Sequence, residues 1–82
     1  MKINDRNCEL IYAVYLKRKR KLEIAQDYVN IYRNKRFSAR TSKSKEDYYR
    51  KEKKWANRVI KLKRIVSYAD HDVQLCKRRG YL

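Results

Sequence analysis

Residues 8–32 read CELIYAVYLKRKRKLEIAQDYVNIY, and the spacing of their apolar side chains decides the fold. Cys8, Ile11, Tyr15, Leu22, Ala25, Val29 and Tyr32 recur at alternating steps of three and four, the spacing of one helical face. Arg18 is the only charged residue in that row. A competing local reading exists for residues 10–16, LIYAVYL, whose Tyr, Val and Ile content suits a buried strand. No hairpin turn and no second comparable run follow it, so a helix is expected.

Working outward, Asn4 or Asp5 is positioned to cap the start of this helix by accepting a bond from a free backbone N–H. The helix is expected over about 5–36. Residues 37–44, FSARTSKS, are rich in Ser and Thr and read as the connection. Ser44 followed three residues later by Asp47 resembles a capping box, with Asp in place of Glu. A second row, Trp55, Val59, Leu62, Val66, Ala69, Val73 and Cys76, predicts a second helix over about 45–79. Gly80 is its expected stop, and Lys77, Arg78 and Arg79 suit a helix C-terminus.

The chain has 82 residues, no Pro and one Gly, so it is one domain with almost no punctuation. A short connection makes neighbouring helices antiparallel. The expected architecture is therefore all-α: an antiparallel two-helix hairpin with coiled-coil-like packing, since both rows keep nearly a seven-residue repeat. A turn near Thr41 and Ser42 sets residues opposite one another when their numbers sum to about 84. Cys8 then faces Cys76, Leu22 faces Leu62, and Val29 faces Trp55.

Each helix carries a second apolar row beside the first. Leu10, Val14, Ile24, Tyr28 and Ile31 form one; Tyr49, Ala56, Ile60, Tyr68 and Leu75 form a less regular counterpart. Two helices need one stripe apiece. A homodimer closing into a four-helix bundle is expected to cover the surplus, with a short third helix at the C-terminal end as a lesser option.

The net charge is +15, from 24 Lys and Arg against nine Asp and Glu. Nucleic acid is the expected partner, because neutralised phosphates release counterions and that release drives binding. In the hairpin, Lys17, Arg18, Lys19, Arg20 and Lys21 lie across from Lys61, Lys63 and Arg64 as a basic band. The loop end adds Arg33, Lys35, Arg36, Arg40, Lys43, Lys45 and Arg50. Arg18 is expected to run its stem along the seam and reach water with its guanidinium. Phe37, Tyr48 and Tyr49 sit among these cations and are candidates for base stacking. Tyr15, Tyr28, Tyr32 and Trp55 fall on apolar rows and are expected in the core. Recognition should rest on phosphates and shape, with low sequence specificity. RNA and DNA are not distinguished.

An acidic protein partner is the alternative: a small regulator or inhibitor of the phage type, docking on a host protein or a nucleic-acid-processing complex. The abundance of Lys, Asn, Ile and Tyr points to an AT-rich genome. A peripheral membrane role fits less well, because the cations encircle the helix instead of lining one face. No run is long and apolar enough to span a bilayer, and no signal-peptide pattern is present, which predicts a cytoplasmic protein. In that compartment Cys8 and Cys76 are expected as free thiols packed like small apolar residues, although their facing positions make a disulfide conceivable.

No enzyme chemistry is expected. The chain lacks a Gly-rich phosphate loop, a Ser/His/Asp set and a CxxC. Asp70, His71, Asp72 and Cys76 do not share one helical face, and zinc requires four converging ligands. No cofactor or metal is implied.

Overall fold

A computed structural model describes residues 2–82 and contains two helices, α1 (Asp5–Ser38) and α2 (Ser42–Arg78), packed against each other. They form an antiparallel hairpin whose Cα atoms span 56 × 15 × 14 Å. The all-α hairpin expected from the two apolar rows is the fold.

Both rows face the seam. Cys8, Ile11 and Ala25 of α1 and Ala69, Val73 and Cys76 of α2 are buried. Tyr15, Leu22, Val29, Tyr32, Trp55, Val59, Leu62 and Val66 are half-buried between them. The best-packed cluster, Cys8, Ile11, Val73 and Cys76 with Ile3 and Tyr15 against it, lies at the open end. Toward the loop the seam is held differently, by stacked rings and one buried acid.

The caps explain where each helix begins and ends. Asn4 caps α1: its side-chain oxygen accepts from the Asn7 backbone N–H at 2.8 Å. The capping box expected at Ser44 and Asp47 is not used. Thr41 caps α2, its Oγ1 accepting from the Ser44 backbone N–H at 3.1 Å. Residues 42–44 thereby join the first turn. Nothing in Phe37 and Ser38 breaks α1, so it runs on to Ser38. The connection accordingly shrinks from the expected 37–44 to Ala39–Thr41. At the far end Gly80 has φ +76°. Its N–H donates to the Lys77 carbonyl (3.1 Å) and that of Tyr81 to the Cys76 carbonyl (3.0 Å), a Schellman stop that only a left-handed residue closes.

Cys8 and Cys76 are joined in a disulfide with Cα atoms 5.8 Å apart. This corrects the expectation of free thiols. The reason is register: the seam brings the first buried position of α1 directly opposite the last buried position of α2, within bridging distance. The same register seats Tyr28, one residue before the expected Val29, on Trp55.

The second apolar rows stay largely uncovered within one chain. Leu10, Ile24, Tyr28 and Ile31 of α1 and Tyr49, Ile60 and Tyr68 of α2 are exposed, Ile60 by 60%. Val14, Ala56 and Leu75 are half-buried. No described helix is long and apolar enough to cross a membrane.

Candidate nucleic-acid interface

The charge pattern follows from where acids are missing. Between Leu10 and Leu22 α1 has no acid, and between Lys53 and Ala69 α2 has none. The antiparallel register, set by Cys8 against Cys76 and Tyr28 against Trp55, makes these stretches overlap in part at mid-rod. Lys17, Arg18, Lys19, Arg20 and Lys21 are all exposed there, as are Lys61, Lys63 and Arg64. Consecutive helical residues are about 100° apart, so five in a row ring α1 completely. Arg18 lies on the seam side, lining a small cleft with Ile11, Val14, Ala69 and Asp72 while remaining exposed.

At the loop end Lys35, Arg40, Lys43, Lys45 and Arg50 are exposed. Among the described residues, only Arg33, Arg36 and Arg50 form ion pairs. Arg50 pairs with Glu46 one turn earlier on α2, at 2.9 Å and in full view of solvent, where such a pair contributes little. The other two converge on Glu52, which sequence reading left unassigned.

Glu52 is the buried charged residue of the seam. It occupies the next step of the α2 row, between Tyr48 and Trp55. Arg33 Nε donates to its Oε1 and Arg36 Nε to its Oε2, each at 2.9 Å. The hydrogen bond from Arg33 lowers the Glu52 pKa from its ordinary value, burial opposes that, and the Arg36 bond lowers it further. Arg33 and Arg36, both expected at the interface, therefore also fasten the helices together. The signal for Glu52 was its place in the row: an acid at a seam position needs a cation opposite.

Two sets of aromatic residues differ in what their rings meet. Trp55, Tyr28, Tyr32 and Tyr48 form a chain of near-parallel rings, with successive centroids 4.5, 6.3 and 6.5 Å apart. Lys35 and Lys51 Nζ each lie 5.6 to 6.0 Å from the Tyr32 and Tyr48 rings, within cation–π range. Tyr48, grouped with Phe37 and Tyr49 as a stacking candidate, is half-buried and belongs to this chain of rings, whereas Tyr28, expected in the core, stacks on Trp55 and stays 39% exposed because its other face has no partner helix. Phe37 and Tyr49 flank Arg36 instead, their centroids 4.8 and 5.5 Å from its guanidinium carbon. Phe37 is 70% exposed and Tyr49 50%. With Lys45 and Glu46 they line an open cleft of about 390 Å³ beside the loop.

Near the open end Asp70 is half-buried, while His71 and Asp72 are exposed. Among the described residues no three His, Cys, Asp or Glu side chains gather as a metal-ligand set.

No protein-family model, no curated protein and no solved structure matches this chain.

Proposed function

We propose that this protein binds nucleic acid through the phosphate backbone, using the ring of cations at mid-rod and those near the loop. The observation that carries this reading is the exposure of these Lys and Arg side chains along a narrow rod with so few acids paired to them. Such a surface repels itself and attracts a dense anion. Duplex DNA carries a charge about every 1.7 Å with both strands counted, so a 56 Å length, matching the rod, holds roughly 33 phosphates, of which those on the near face are within reach. Contacts of this kind position a protein without reading bases, so sequence specificity is low. The test is a salt titration of binding to a duplex or structured RNA. The logarithm of affinity should fall steeply and linearly with the logarithm of salt concentration, and a flat response sinks the reading.

A second reading rests on the uncovered apolar residues of α1, Leu10, Ile24 and Ile31. Another chain is suited to cover them, either a second copy forming a four-helix bundle or an acidic protein. Light scattering on nuclease-treated protein distinguishes a dimer from a monomer. A stoichiometric acidic partner that survives nuclease would favour the regulator reading over nucleic acid.

A further inference from the structure

We infer that the cleft beside the loop, built by Phe37, Arg36 and Tyr49, holds an unpaired base of a single-stranded or looped nucleic acid. This rests on the phosphate-binding reading above and adds to it the recognition of a base and a preference for unpaired strands.

Three observations converge on this corner. The first is the exposure of two aromatic rings one helix apart: Phe37 is the penultimate residue of α1 and Tyr49 lies two turns into α2. Rings used for packing in this protein lie on the seam and stack on one another. Among the described residues these two stack on no other ring, and the Arg36 guanidinium lies over both.

The second is the way Arg36 is held. Its Nε is taken by Glu52 Oε2 at 2.9 Å, and Glu52 is itself buried and fixed by Arg33 from the other side. The guanidinium is thereby locked at its inner edge. Its terminal nitrogens make no hydrogen bond among the described residues, leaving up to four N–H donors for a ligand. A planar cation between two rings extends their surface, and bases stack on both kinds of plane.

The third is charge and size. Lys45 lines the cleft and Arg40 and Lys43 occupy the adjoining connection and first turn, so the sugar-phosphate of a stacked base meets positive charge. Glu46, the one acid on the wall, is engaged by Arg50 at 2.9 Å. About 390 Å³ lies within the range of small-ligand sites. A duplex presents its bases edge-on and stacked, so its π-faces are not available here. An unpaired base offers its face.

The experiment compares four ligands of matched phosphate number by fluorescence anisotropy at one salt concentration: a single-stranded oligonucleotide, an abasic strand, a blunt duplex and a hairpin with an open loop. The variant is Phe37→Leu with Tyr49→Leu, which leaves an apolar side chain and a good helix former at both positions but removes both π-faces; circular dichroism verifies the fold. Affinity for the single strand and the looped hairpin should fall about tenfold in the variant. Duplex and abasic affinities should stay within about twofold. Unchanged single-strand affinity, or an equal loss on all four ligands, overturns the base site while leaving backbone binding intact. If the wild-type protein binds none of the four, both readings fall.

Discussion

Tyr28 lies almost flat on Trp55, with ring centroids 4.5 Å apart and planes 18° from parallel. Trp55 is the only tryptophan, and the Arg58 guanidinium sits 4.5 Å from its ring. Aromatic pairs of this kind contribute about 0.5–1.5 kcal/mol beyond the area they bury. Tyr28→Ala should lower thermal stability and shift Trp55 emission to the red as water reaches the indole. Unchanged emission would contradict the stack.

Glu52 gives the seam an acid-sensitive lock. Its folded-state pKa is lowered, chiefly by the hydrogen bond from Arg33. The stability it contributes is therefore present above its unfolded value of about 4.3 and is lost as pH falls through the lower folded one. Glu52→Gln should cost about 1–2 kcal/mol at pH 7, discounted for the half-exposed Arg33. Thermal melts from pH 7 down to pH 2 should show a shallower acid loss in the variant than in the wild type. Parallel curves would remove Glu52 from this role.

Cys8 and Cys76 are 68 residues apart in sequence, so their bond restricts nearly the whole unfolded chain. Loop-closure entropy places its contribution at about 4 kcal/mol. A reductant, or Cys8→Ser with Cys76→Ser, should lower the melting temperature markedly and loosen the open end first in hydrogen exchange. An identical melting temperature with and without reductant is the contrary result.

Reversing Lys17, Lys19 and Lys21 to Glu places three acids in the mid-rod band. All three side chains are exposed and make no ion pair among the described residues, so helicity should persist. Nucleic-acid affinity should fall, and the salt slope should become shallower by about 2–3, at roughly 0.9 per lost phosphate contact. Unaltered affinity would move the contacts to the loop end or to Lys77–Arg79.

Gly80 stops α2 at φ +76°, and a Cβ added there meets nothing within 4 Å. The effect of Gly80→Ala is therefore one of backbone conformation alone, about 1 kcal/mol. Gly80→Asn should lose less, because Asn tolerates the left-handed region. Chemical denaturation of the three proteins gives the order.

Periodicity made the hairpin legible. Cys8 through Tyr32 and Trp55 through Cys76 face the seam because a long unbroken helix leaves the apolar stripe no other way to leave water. The turn was less legible, because Thr41 and Ser44 offer nearly equal caps and only one is used. The excess of cations is plain from composition. What composition conceals is pairing. Glu52 looks like one acid among Lys51, Lys53 and Lys54, yet its place on the row turns it inward to Arg33 and Arg36. The separation of Tyr48 from Tyr49 has the same origin: adjacent residues on a helix point about 100° apart, so one joins the seam and the other the cleft.

The bond between Cys8 and Cys76 also bears on how two copies can meet. A long hairpin with a three-residue connection is a ready candidate for domain swapping, in which each chain opens and lends one helix to the other. Here the peptide chain closes one end of the rod and the disulfide closes the other, so the folded part is a covalent ring. A ring cannot unfold one helix into a neighbour. A dimer of chains that each carry this internal bond must assemble by docking of finished hairpins, and the intertwined form becomes accessible only once the bond is reduced or exchanged between chains.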